Sequence, residues 1–462
     1  MTDYRFDISN DVSKQLARCW LSLGIAALIG AGLLAILLVL SRTPGIQNVF
    51  PLRDFFRSAL VVHVDLSVLI WFMSFASVMW SLAGGSGLAT LGRIGFGLAA
   101  IGTAIMTVSP FFPDPNPLLN NYIPVLQQPV FFSGLLIVGA GLVLTLIRAL
   151  LTIRWRAASA LRVGAHDTPS PSSSSVRFAV FLSAVAGTVS IGGVFFALLS
   201  SPALDGQAYW EAIFWGGGHA LQFQHTLLLV VAWFWLMSEL GQAPQITART
   251  AKRLYALAAA PLLVVPVIYA IAPVGSAWHT AYFAQLMEYG HTLMLPLILI
   301  ALPSLWRLRS ISAPAKSALF ASFLLFATGG ILAYMIKGVN VVIPAHYHGS
   351  IVGVTLAFMG LTYVLLPRLG FSIADGKMAR WQPYVYGGGQ MIHILGLAWS
   401  GGYGVQRKVA GAEQILTTLP QKIGMGMMGF GGLISIIGGV MFVLVCLIAM
   451  RGRAAAKPTA KT

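Results

Sequence analysis

Apolar runs of about twenty residues or more, separated by short polar stretches, recur along the whole chain. A helix of about twenty residues crosses the hydrocarbon core of a bilayer, so each run predicts a membrane pass. Twelve passes are expected, at about 16–41, 58–83, 90–109, 127–151, 177–200, 209–239, 251–273, 281–305, 315–336, 344–368, 383–402 and 425–450. One evident linker, RWRAASALRVGAHDTPSPSSSSVR at 154–177, is basic and then Pro/Ser-rich, and it joins passes within one bundle. No convincing internal repeat is visible. The expected fold is all-α, a polytopic membrane helix bundle of about twelve transmembrane helices. It forms a single transmembrane domain over 1–462 and ends in a basic tail at 451–462.

Composition agrees with this pattern. Hydrophobic residues make up 57% of the chain and charged residues 9%, with a mean hydropathy of +0.81. Soluble domains carry about 25% charged residues, so a water-soluble enzyme is excluded. The net charge of +16 comes from 29 Lys+Arg against 13 Asp+Glu. These charges lie in short loops between apolar runs, where they act as orientation signals and not as a nucleic-acid surface. Arg93, the group Arg154, Arg156, Arg162 and Arg177, then Arg249, Lys252, Arg253, Arg307, Arg309, Lys316, Lys377 and Arg380 fall in alternate loops. The intervening stretches 110–126, 201–208 and 274–278 contain no Lys or Arg. The positive-inside rule therefore predicts that both termini are cytoplasmic. Two outer loops break the rule, one with Arg42, Arg53 and Arg57, the other with Arg407, Lys408 and Lys422. Basic residues on that side need a specific reason.

Cys19 and Cys446 sit in separate apolar segments. They exclude a disulfide framework, a paired-cysteine zinc site and a covalent haem-attachment motif. The N-terminal stretch MTDYRFDISNDVSKQ has no signal-peptide apolar core.

The histidines carry the candidate chemistry. All nine except His166 lie in or beside an apolar segment, and an intramembrane ionisable residue is a functional candidate by default. His63, His219, His291, His346 and His348 each fall within roughly ten residues of the expected outer end of their pass, at most about 15 Å deep. His279 lies at the outer mouth of its pass, and His393 is about ten residues in from an outer end. Seven histidines in one layer point to buried metal centres, since neutral imidazole is a common ligand for iron and copper. Side chains two residues apart on a helix diverge by about 200°. His346 and His348 therefore cannot share one metal, but they can serve two cofactors on either side of one helix.

HVDLSVLIWF (63–72), GGGHALQF (216–223) and IPAHYHGSIVGVTLAFMG (343–360) resemble the haem-copper oxidase superfamily. That family contains the catalytic subunits of cytochrome c oxidases and nitric oxide reductases, and it shares the twelve-helix core with both termini inside. The resemblance implies that His63 and His348 are axial ligands of a low-spin haem. It also implies that His346 is the proximal ligand of a five-coordinate, high-spin haem, and that His219 binds a non-haem metal, iron or copper, facing it. HILGLAWSGGYGVQRK (393–408) is similar to the family stretch whose two basic residues hold haem propionates, which assigns that role to Arg407 and Lys408.

The chain departs from the family at the second metal. It lacks the adjacent His-His pair, and the local sequence offers His279, Glu288 and His291 instead. His225, six residues beyond His219, is expected to face elsewhere. Phe223 stands one turn after His219, where most oxygen reductases have a tyrosine, and Tyr269 is the alternative phenol. The remaining membrane carboxylates, Asp65, Glu211 and Glu288, lie toward the outer side. These departures favour a terminal reductase of nitric oxide over one of O₂, with His219 and Glu288 at the reacting centre and Glu288 as a carboxylate ligand for iron. A non-catalytic haem-binding relative, sensing gas or assisting oxidase assembly, stays open. A cytochrome c or copper subunit, or quinol, is the expected electron donor. The expected location is a bacterial cytoplasmic membrane, with no nucleic-acid partner.

Overall fold

The computed structural model describes residues 4–6, 8, 10–44, 53–155, 171–200, 203–308 and 313–452. The chain divides into two compact units, one of residues 1–41 and 46–307, the other of residues 42–45 and 308–462. Most of the expected linker (156–170) and the basic tail (453–462) lie outside the described residues.

In the first unit, α1 (Asp11–Arg42) is followed by α2 (Arg53–Val64), a π-helical turn (Asp65–Ile70) and α3 (Trp71–Gly84), which together make one pass. α4 (Ala89–Val108) and α5 (Pro129–Thr152) flank a loop holding a two-stranded antiparallel pair, β1 (Pro117–Leu118) and β2 (Val125–Leu126). Next come α6 (Pro171–Ser200) and α7 (Gly206–Glu239), then α8 (Ala248–Ala259) with α9 (Val264–Ile271), and α10 (Ala277–Gly290) with α11 (Leu295–Arg307). The second unit holds α12 (Pro314–Ala333), α13 (Val342–Arg368), α14 (Lys377–Gly402) and α15 (Leu419–Arg451).

Among the described residues, eleven helices are long and apolar enough to cross a membrane. They match eleven expected passes within a few residues. The remaining expected pass, 383–402, lies within α14, which is 26 residues long, although its glycines and glutamines dilute its hydropathy. Several helices begin earlier than their apolar runs, because proline at the first turn and polar residues extend them beyond the hydrocarbon layer. The Ser-rich stretch 171–175, expected as linker, is the first turn of α6. Two passes are interrupted by 3₁₀ turns. Pro261 cannot donate to the ladder in one, and the other spans His291–Met294 just before Pro296.

Burial separates the central helices from the peripheral ones. Within their most apolar windows, α7 is 89% buried and α13 83%, whereas α1 is 28% buried. α7 therefore forms the core of the first unit and α13 that of the second. Trp233, Phe234 and Trp235 on α7 are fully buried, and the N-terminal segment closes over them. Tyr4 meets Phe234 edge-on at 5.1 Å, and Phe6 meets Trp235 at 5.0 Å.

The C-terminus of α3 is held by cations. Arg148, 1% exposed, donates Nε–H to the Gly87 carbonyl at 2.9 Å and Nη2–H to that of Gly85 at 2.7 Å. Arg177 donates to the Ala83 carbonyl at 2.6 Å. Terminal carbonyls of a helix carry partial negative charge and no intrahelical donor, so the guanidiniums satisfy those of Ala83 and Gly85 and also bind Gly87 in the turn that follows. Arg148→Met is expected to destabilise the folded protein by about 2 kcal/mol, because two charge-assisted bonds to the half-exposed turn after α3 disappear. Arg93→Ala, at an exposed position, should stay within about 0.5 kcal/mol. Thermal unfolding in detergent distinguishes the two, and equal shifts would refute the capping role.

Candidate functional site

Five histidines share one arrangement of the ring. His63 Nδ1 lies 2.9 Å from the Ala31 carbonyl, His346 Nδ1 2.8 Å from that of Gly329, and His393 Nδ1 2.9 Å from that of Met428. His219 and His291 bond within their own helix, to Trp215 (2.6 Å) and Met287 (3.0 Å). A carbonyl only accepts, so each Nδ1 carries the hydrogen and each Nε2 presents a lone pair. That tautomer, fixed by a backbone carbonyl, is the one a metal-ligating histidine needs.

Close helix contacts bring those carbonyls within reach. A Cβ on Gly329 of α12 would stand 2.4 Å from the Ser350 nitrogen of α13, and one on Gly431 of α15 would stand 2.4 Å from the His393 nitrogen of α14. Only glycine permits such backbone approach. In the first unit, the π-helical turn begins two residues after His63 and carries Asp65, 1% exposed, with neither carboxyl oxygen hydrogen-bonded. Extra-residue turns of this kind are frequent at functional sites.

In the second unit, the rings of His348 and His393 meet edge-on, with centroids 5.0 Å apart. Arg42 and Arg407 both lie within electrostatic reach of Tyr347, and the buried Nε and Nη2 of Arg42 have no hydrogen-bond partner. A buried guanidinium without a partner is costly. This arrangement suits carboxylates arriving on a bound group and adds Arg42 to the expected pair Arg407 and Lys408. Arg42 was legible in the sequence only as a cation on the unexpected side. The anchored histidines and this guanidinium fit the haems that the sequence resemblance implies.

The sequence motif GGGH encloses His219 in aromatic rings. A Cβ on Gly216 would strike the Tyr269 hydroxyl at 2.2 Å and Phe283 at 2.7 Å. One on Gly218 would stand 2.1 Å from Tyr122 Cγ, and one on Gly217 would meet α6. Around His219, the ring centroids of Trp215, Tyr122 and Phe283 lie at 4.6, 4.9 and 5.9 Å. Tyr122 reaches it from the loop between α4 and α5, which reads in the sequence only as an outer loop without basic residues. The nearest sequence signal is Glu211, a membrane carboxylate in need of donors.

The expected non-haem metal set does not assemble. Among the described residues, no three His, Cys, Asp or Glu side chains are placed to hold one ion. α7 and α10 run in the same direction, with Gly216 against Phe283 and Phe223 stacked on His291 at 4.2 Å. His279 and His291 are twelve residues apart, about 18 Å along the axis, so they cannot both join His219. His279 packs with Tyr269 (5.5 Å) and Phe283 (5.0 Å), and both of its ring nitrogens lack partners. Glu288 is exposed, nine residues from His279 and thus on the opposite face of α10; the expected carboxylate ligand is corrected on that ground. His225 faces Phe72 at 4.7 Å, away from His219 as expected.

Gly218→Ala is expected to cost about 1–3 kcal/mol through overpacking against Tyr122. Adding Tyr122→Ala should recover much of that loss. A double-mutant cycle on thermal unfolding checks this, and additivity within about 0.5 kcal/mol would refute the contact.

The comparisons with known proteins agree with this geometry. Residues 15–441 match the family described as Cytochrome C and Quinol oxidase polypeptide I. An uncharacterised protein of Rickettsia prowazekii (strain Madrid E) is 30% identical, over 94% of this chain and 96% of the relative. An uncharacterised protein of Aquifex aeolicus (strain VF5) is 28% identical, over 79% of this chain and 88% of the relative. A solved haem-copper terminal oxidase dimer shares the fold, with a TM-score of 0.71 at 15% identity, covering 97% of this chain and 86% of that one. With its anchored histidines and a family match that runs almost end to end, this membrane helix bundle belongs to the cytochrome c and quinol oxidase polypeptide I family of the haem-copper oxidase superfamily.

Proposed function

We propose that the chain is the catalytic subunit of a terminal reductase in a bacterial cytoplasmic membrane, reducing a small gas, with nitric oxide favoured. The observation that carries this reading is the carbonyl-anchored tautomer of His63 and His346, each presenting a bare Nε2. The haems supply electron transfer and gas binding, and the residues of this chain hold them. By the sequence resemblance, His63 and His348 would hold one haem and His346 the other, the one that binds the gas. Arg407, Lys408 and Arg42 neutralise haem carboxylates. His219 is the polar group of the gas pocket. No step is assigned to a non-haem metal, because the expected ligand set does not come together. Electrons come from a partner subunit bearing a c-type haem or copper, or from quinol.

The choice of gas rests on proton supply. Leu227–Met237, the second half of α7, are all buried and include no ionisable side chain. Coupling two NO to N₂O and water consumes two electrons and two protons, for which Asp65, a buried carboxylate toward the expected outer end with no hydrogen-bond partner, would be the relay. Tyr122 beside His219 favours a second reading, O₂ reduction, since it adds a phenol ring next to the imidazole, besides Tyr269.

Anaerobic turnover of the purified protein with NO, and then with O₂, tests the proposal. Two haems per chain and N₂O in the headspace are expected. O₂ consumption without N₂O would move the assignment to the second reading, and turnover of neither gas would leave a haem-binding relative. Three variants probe the haems themselves. His63→Ala and His348→Ala should each abolish the low-spin optical bands while sparing part of the high-spin signal. His346→Ala should remove the CO difference spectrum, and a wild-type CO signal in that variant would count against the assignment.

A further inference from the structure

Tyr122 occupies a backbone conformation that side chains other than glycine rarely adopt, with φ at +66°. Such residues persist only where their surroundings over-determine them. The surroundings here are specific. The Glu211 carboxylate accepts the Asn121 backbone N–H at 2.7 Å and a second bond from Asn121 Nδ2. Asn120 Nδ2 closes the turn on the Ile123 carbonyl, and the β1–β2 pair shuts the loop behind it. The phenol itself has three neighbours. Its ring covers the bare Cα of Gly218, its centroid lies 4.9 Å from that of His219, and its hydroxyl donates to Met287 Sδ at 3.6 Å. Burial, and then the negative charge of Glu211, raise the Tyr122 pKa well above the usual phenol value, so the hydroxyl remains a donor.

Glu211 and His219 stand eight residues apart on α7, just over two turns and about 12 Å along the axis. One rigid helix therefore carries both the acceptor that fixes the loop and the imidazole that the loop covers. We propose that Tyr122 is a positioning residue for His219, its ring holding the imidazole plane, and that Glu211 is the latch that keeps Tyr122 there. The role belongs to the ring, because the hydroxyl is turned toward a thioether, a weak acceptor, and away from the imidazole. Releasing the latch removes what compensates the left-handed backbone, so the loop relaxes and His219 gains rotational freedom.

This inference rests on the reading of His219 as the polar group of the gas pocket, and its test separates the two. The full chain is purified reduced, in wild-type form and as Tyr122→Phe, Tyr122→Leu and Glu211→Gln, and the stretching band of haem-bound CO is recorded by infrared spectroscopy. Wild type and Tyr122→Phe should share one narrow band. Tyr122→Leu and Glu211→Gln should show a band at least twofold broader, or split, with haem content unchanged. Identical bands in all four proteins would overturn the proposal, as would Tyr122→Phe behaving like Tyr122→Leu. If the wild type binds no CO, the proposed function fails while the latch stays testable through carbethoxylation of His219 by diethyl pyrocarbonate, mapped by mass spectrometry. Tyr122→Leu and Glu211→Gln should then raise the labelling rate about tenfold over wild type and Tyr122→Phe, and equal rates in all four would refute it.

Discussion

A histidine ring in a membrane protein is useful as a ligand only if its second nitrogen is already satisfied, and here backbone carbonyls do that. His63, His346 and His393 each reach the carbonyl of a neighbouring helix. In a low-dielectric interior these bonds set the tautomer and the ring plane together. They also tie ligand geometry to helix packing. The carbonyls of Gly329 and Met428 are close enough only because glycines at the α12–α13 and α14–α15 crossings allow backbone contact. A side chain at Gly329 or Gly431 would therefore disturb a ring on the facing helix without touching it. Small residues at the crossings and histidines at the site are one construction.

The first unit uses the same economy around His219. Three consecutive glycines admit Tyr269 and Phe283, the α6 backbone, and Tyr122, each against a different face of α7. The result is an imidazole enclosed by aromatic rings, with Phe283 as the neighbour it shares with His279. The parallel register of α7 and α10 then decides which polar groups share a depth. It pairs Phe223 with His291 and leaves His279 about 18 Å further along the axis.

Charge in this protein is placed where helices end. Arg148 and Arg177 close the carbonyl end of α3, and Arg42 and Arg407 gather around Tyr347. Both groups are basic, but in the second the buried Nε and Nη2 of Arg42 have no acceptor among the described residues. The unsatisfied guanidinium nitrogens of Arg42 are the counterpart of a ligand that brings its own negative charge.

The helical passes and their approximate limits were legible in the amino-acid sequence, because bilayer thickness imposes a length and a polarity on every crossing segment. The motifs around His63, His219, His346 and His348 were legible for a related reason, since imidazole in an apolar run has few other uses. Contacts between segments were not. Hydropathy sets how deep a residue lies along its own helix but says nothing of the rotation of that helix against a neighbour. Glu288 thus looked like a ligand until the phase of α10 turned it outward. Tyr122 and Arg42 lie in a loop and at a helix end, where composition carries little information. Their places depend on hydrogen bonds between residues far apart in sequence, such as Asn121 to Glu211, and on glycine crossings whose partners only the tertiary structure selects.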